Sequence, residues 1–176
     1  MESSSLMTNK CVFLDRDGVL NVDRVDYVYH LGHFVIPDGV VEALKVLKDA
    51  GYLLIVITNQ SGIAKGIYER KDVWLIHEAL QEACGGRLDD LYFCPYHELY
   101  DSASLTRKPG SLLIEKAVAK YHVDMSQSYM VGDHERDVLA GKRAGLRTIR
   151  IAEEGTLTEA NYVVKDLLAA SKIILS

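Results

Sequence analysis

Apolar residues in this 176-residue chain gather in short unbroken runs, separated by stretches where they recur at every third or fourth position. The runs are Cys11-Val12-Phe13-Leu14, "YLLIVIT" (Tyr52 to Thr58), "LDDLYFC" (Leu88 to Cys94), "SYMVGD" (Ser128 to Asp133) and "LRTIRI" (Leu146 to Ile151), with Tyr162-Val163-Val164 as a short last one. Runs of this kind predict strands covered on both faces, as in a parallel sheet. Between them, Val40/Leu44/Leu47, Val73/Ile76/Leu80/Ala83 and Leu113/Ala117/Tyr121 each mark one face of a helix. "PDG" at Pro37 and "KPG" at Pro109 precede helices, Gly51 closes the first, and Gly145 follows "AGKRA". The alternation predicts an α/β fold, a doubly wound parallel sheet with helices on both faces and right-handed crossovers.

In such sheets the ligand crevice lies beyond the carboxyl ends of the strands. Polar clusters stand at those ends. Asp15 and Asp17 follow the first strand, Thr58-Asn59-Gln60-Ser61-Gly62 ends the second, and Asp133-His134-Glu135-Arg136-Asp137 ends a later one. Arg107-Lys108-Pro109-Gly110 leads into a helix. Carboxylates brought together in a low-dielectric cleft repel, and a hard divalent cation bound through oxygen relieves the repulsion. Magnesium suits such a set together with substrate phosphate oxygens. Lys108 and the backbone N–H groups after Thr58 can hold the same phosphate, so the pattern predicts phosphoryl transfer.

Composition narrows the picture. With 48% hydrophobic residues the chain can bury one sizeable core, and a single domain is expected over residues 10–176 behind a disordered leader at 1–9. A formal charge of −5 argues against a surface built for nucleic acid. Three cysteines, Cys11, Cys84 and Cys94, do not make a disulfide framework and point to a reducing cytoplasm. "MESSSLMTNK" lacks the regions of a secretory signal, and no uncharged apolar run is long enough to span a membrane. A monomer without a membrane or nucleic-acid partner is expected.

"DRDGVLN", "TNQSG", "RKPG" and "VGDHERD", in this order and at strand ends, resemble the four motifs of the haloacid dehalogenase (HAD) superfamily of phosphatases. More narrowly, "DRDGVLNVD", "ITNQSGIAKG", "YFCPYH", "RKPG" and "SYMVGD" are similar to the D-glycero-D-manno-heptose 1,7-bisphosphate phosphatases and the related histidinol-phosphate phosphatases, over roughly Cys11 to Ile151. The resemblance implies a Rossmann-like core and a Mg2+-dependent reaction through an aspartyl-phosphate. Asp15 would be the nucleophile, and Asp17 the acid that protonates the leaving oxygen and then the base that activates water. Asp15, Asp133 and the backbone carbonyl of Asp17 would hold the metal, with Asp137 supporting it from behind. Thr58, Asn59, Gln60, Ser61 and Lys108 would meet the phosphate, and Asp23, Arg107 and His134 the rest of the substrate.

The span from Gly18 to Asp38 is too short for an inserted cap, so Asn21 to Phe34 is expected as a short flap, with Asp23 and Arg24 available to sugar hydroxyls or a second phosphate. His30 and His33 read as ordinary loop residues. "CPYH" from Cys94 is similar to the opening of a structural zinc site in many heptose phosphatases. Tyr96 replaces one histidine of that pattern and no cysteine follows before Arg107, so structural zinc is not expected. The resemblance implies a phosphorylated sugar as substrate, first the 7-phosphate of the heptose bisphosphate, on the way to lipopolysaccharide core precursors. Histidinol phosphate is the enzymatic alternative. A phospho-accepting receiver domain is the alternative of another class, and it gives no task to an acid two residues beyond the nucleophile.

Overall fold

The computed structural model describes residues 8–176; most of the expected leader lies outside the described residues. Six strands form one sheet: β1 (Cys11–Leu14), β2 (Leu53–Asn59), β3 (Asp90–Cys94), β4 (Tyr129–Gly132), β5 (Arg147–Ile151) and β6 (Tyr162–Val164). Their order is β3-β2-β1-β4-β5-β6, and every pair is parallel. Among the described residues the α-helices are α1 (Val40–Asp49), α2 (Arg70–Ala83), α3 (Leu112–Tyr121), α4 (Glu135–Arg143) and α5 (Leu167–Leu175).

The unbroken apolar runs are explained by what covers them. All four residues of β1 are fully buried, yet they feed two different cores. Val12 and Leu14 pack with Leu54 and Val56 among side chains of α1, α2 and α5, while Cys11 and Phe13 pack with Ile55 and Ile57 among side chains of α3 and α4. Alternate residues therefore face opposite layers, each of them apolar, and polar alternation has no place in the central strands. Each such side chain contributes about 1.5–3 kcal/mol of burial, so the sheet centre, from which the polar loops project, is also the most strongly held part of the fold.

Three boundaries differ from the sequence pattern. Asn9, expected in the leader, is paired: it forms a bridge with Val123, and its Nδ2 donates to the Tyr121 carbonyl at 2.7 Å. Ala83 is exposed, and the inner face of α2 is completed by Cys84 at the helix end, where the turn rotates the chain inward. The alternation read from the sequence stops at Tyr162–Val164, but α5 follows, capped by Asp166 accepting from the Ala169 N–H and closing the core over α1. Among the described residues no helix is long and apolar enough to cross a membrane.

No domain is inserted between β1 and α1. The expected flap is pinned at its base, where the Val22 N–H donates to the Val35 carbonyl at 2.9 Å. Asn21, expected at its start, is fully buried and belongs to the tight loop after β1.

Candidate active site

Because all strands run the same way, the loops after β1, β2 and β4 leave the sheet on one edge, and β1 and β4 are neighbours. The Asp15 N–H extends their ladder to the Val131 carbonyl at 3.0 Å, which fixes the first acid at the strand end. The chain then turns sharply: the Arg16 carbonyl accepts from the N–H groups of Val19, Leu20 and Asn21. Gly18 has φ +86°, and a Cβ there would overlap the Asp133 carboxylate. The glycine is required twice, for the left-handed backbone and for the close approach of the β1 loop to the β4 loop.

Asp15 is buried, with Oδ1 taking the Arg16 N–H at 2.7 Å and the Lys108 ammonium at 2.8 Å. Lys108 is itself buried; its ammonium donates to the Ile57 carbonyl at 2.8 Å and pairs with Asp137 Oδ1 at 2.7 Å, so three oxygens, with that of Asp15, surround it. Burial, and then the negative charge of Asp137, push the Asp15 carboxyl up to about 7 against the opposing pull of Lys108. Lys108 is held above its ordinary value against its own burial, chiefly by Asp137 and Asp15.

Asp17 faces the crevice and is oriented by three side chains. Its Oδ1 accepts from Asn21 Nδ2 and Arg16 Nη2, both at 3.0 Å, and its Oδ2 accepts from Gln60 Nε2 at 2.9 Å. Gln60 was expected to meet the phosphate; the structure buries it, bonded also to Thr58 Oγ1 at 2.9 Å and to the Tyr68 hydroxyl at 2.6 Å. Its side chain points along the sheet edge to Asp17 because β2 ends one residue before it. Thr58 is likewise buried at that end. Asn59 exchanges two 3.0 Å hydrogen bonds with the backbone of Lys108, and so sets the position of the lysine.

Asp133 follows β4. His134, expected to reach the substrate, donates through Nδ1 to Asp133 Oδ1 at 2.8 Å, and this bond raises its imidazole above the ordinary value. Asp137 has two tasks: Oδ2 accepts the His134 N–H at 3.0 Å to cap α4, and Oδ1 pairs Lys108. The carboxylates of Asp15, Asp17, Asp133 and Asp137 thus outnumber the buried cations Arg16 and Lys108. A hard divalent cation fits this all-oxygen, negatively biased set, with Asp133 beside the β1 loop as one ligand.

The crevice is a cavity of about 270 Å³ whose lining includes Asp17, Asp23, Asn59 and Ser61 together with Arg24, Arg107, Arg136 and His134. That is close to the lower end of small-ligand sites, about 300 Å³. Asp23 is exposed and accepts the Arg24 N–H. Sequence patterns gave no sign of Arg16, whose guanidinium is 1% exposed and joins Asp17 to Gln60 Oε1 and to the flap carbonyl of Val28. Its place between two aspartates was the available signal. Tyr27 and Tyr68 were equally silent: Tyr27, at φ +67°, meets Tyr68 edge-on with ring centres 5.8 Å apart, and Tyr29 stacks on Tyr68 at 5.3 Å. Cys94 is buried and accepts from Thr106 Oγ1 at 3.2 Å.

Residues 105–170 match the HAD-hydrolase-like family model. The chain is 38% identical to the D-glycero-beta-D-manno-heptose-1,7-bisphosphate 7-phosphatase of Haemophilus ducreyi, over 96% of either chain. It is 42% identical to the Helicobacter pylori J99 protein of the same name, over 81% of this chain and 82% of that one. The D,D-heptose 1,7-bisphosphate phosphatase of B. bronchiseptica, solved with magnesium and phosphate, superposes with a TM-score of 0.86 at 28% identity, over 94% of this chain and 98% of that one.

Proposed function

The chain belongs to the heptose-1,7-bisphosphate 7-phosphatases of the HAD superfamily, and from that premise we propose that it is a magnesium-dependent phosphoric monoester hydrolase that removes the 7-phosphate of D-glycero-D-manno-heptose 1,7-bisphosphate. The observation that carries the substrate is the crevice itself. Arg24, Arg107 and Arg136 stand around Asp17 and Asp23, a cation-rich rim suited to a second anionic group. Histidinol phosphate would bring an ammonium to the same rim.

In this reading Asp15 attacks phosphorus in line and the P–O bond to the sugar breaks, leaving an aspartyl-phosphate. Asp17, fixed by Asn21, Arg16 and Gln60, gives its proton to the departing sugar oxygen and then takes one from the water that hydrolyses the intermediate. Lys108 reaches no further than Asp15, Asp137 and Ile57 in this structure, so its positive charge acts on the phosphoryl group from behind Asp15, or directly once a phosphate oxygen shares one of its N–H bonds. Asp15, Asp133 and the Asp17 carbonyl would hold Mg2+, which neutralises charge on the phosphoryl oxygens when bound. Three free cysteines suit a reducing cytoplasm.

Two measurements test this. Exhaustive chelation should abolish turnover and added magnesium restore it, while elemental analysis finds well under one zinc per chain; retained activity without metal, or tightly held stoichiometric zinc, contradicts the assignment. In a panel of phosphorylated metabolites, kcat/KM should be larger for the heptose bisphosphate than for histidinol phosphate. The reverse order transfers the chain to histidinol-phosphate hydrolysis.

A further inference from the structure

Of the three arginines lining the crevice, two are occupied by their own chain. Arg24 directs its fork at Asp26, at 2.8 and 2.7 Å. Arg107 is drawn sideways, with Nη1 3.4 Å from the Tyr96 carbonyl and Nε 3.6 Å from Glu98. The Arg136 side chain makes no hydrogen bond or ion pair with a described residue, although its Nε is shielded from solvent.

That state is unfavourable on two separate grounds. A guanidinium N–H removed from water without a partner forfeits a hydrogen bond. Arg136 is also the second residue of α4, at the positive end of the helix, where a cation is disfavoured. The neighbouring acids do not compensate. Glu135 is engaged by Arg150, Thr158 and the Glu159 N–H, Asp133 by His134, and Asp137 by Lys108 and the His134 N–H. An anion in the crevice would give the guanidinium the charge partner that its own chain does not supply, and would offset its place at the positive end of α4.

We propose that Arg136 is the specificity residue that binds the phosphate the enzyme does not hydrolyse. This rests on the reading of the chain as a sugar bisphosphate phosphatase. The scissile phosphate goes to Asp15, beneath Asp17; the other end of the sugar lies at the mouth, where Arg136 presents a planar fork that matches two phosphate oxygens. His134, committed to Asp133, leaves this task to the arginine two positions on.

The test compares the heptose 1,7-bisphosphate with the 7-monophosphate of the same sugar, in the wild type and in Arg136→Ala and Arg136→Lys. The ratio of kcat/KM for bisphosphate over monophosphate should fall about tenfold or more in Arg136→Ala, mainly through KM, and recover in part in Arg136→Lys. A ratio within about twofold of wild type, or an equal loss on both substrates, overturns the assignment. A wild-type enzyme that does not distinguish the two substrates removes the bisphosphate reading and this proposal with it; discrimination that survives in Arg136→Ala removes the proposal alone.

Discussion

Asp15→Asn should abolish turnover, by on the order of 10⁴-fold or more in kcat, while leaving the protein at least as stable as the wild type. The two halves of this expectation have one origin. The Asp15 carboxylate is buried beside Asp137, and both conditions oppose its charge. Asparagine keeps the shape and an oxygen for the Arg16 N–H, removes the opposed charge, and leaves Lys108 paired with Asp137. It cannot attack phosphorus. Thermal unfolding and single-turnover assays on the same preparation check both halves, and near-normal turnover would remove the covalent mechanism. Asp17→Asn separates the roles: the nucleophile remains, so the loss should be about 10²–10⁴-fold on the sugar phosphate and smaller on an aryl phosphate, whose leaving group needs no proton.

Lys108→Met should cost about 3–5 kcal/mol of stability, because it strands Asp15 and Asp137 without the cation between them. Activity should fall as well, since Asp15 then takes up a proton in place of a positive neighbour. The sign of the pH dependence follows. Asp15 already sits near 7 in the folded chain, well above its unfolded value, so its neutral form favours folding and its charged form opposes it. Without Lys108 that opposition grows, and the deficit should shrink as the buffer is taken from mildly alkaline to mildly acidic. Urea unfolding at the two conditions measures it; a deficit that is absent, or that widens on acidification, would show that Lys108 is not the counterion of the pair.

The central strands were legible in the sequence because both faces of the sheet are covered, and an unbroken apolar run has few other uses. Asp15, Asp17 and Asp133 were legible for the complementary reason: a carboxylate directly after such a run stands at the sheet edge whatever the details. The helix α5 was not, because "LLAASKIIL" is apolar on nearly every side and shows little stripe. Arg16, Gln60 and Asn59 are clearer cases of what spacing hides. Each bonds across the site to a residue from another part of the chain, Val28, Asp17 and Lys108, and those meetings exist only once the strand order is known. Arg136 is legible only by elimination, after the partners of every neighbouring charge have been found.

The strand order also governs what the cell has in hand while the protein is being made. β1 emerges first and β2 covers one of its edges, but its other edge belongs to β4, which is synthesised only after two-thirds of the chain. Until then β1 is an apolar strand with open backbone groups on one edge, and neither Asp133 nor Asp137 has been made. A product released before β4 therefore lacks Asp133 and Asp137 and contains no part-working enzyme. It is catalytically silent and carries an unprotected edge of the kind on which chains aggregate.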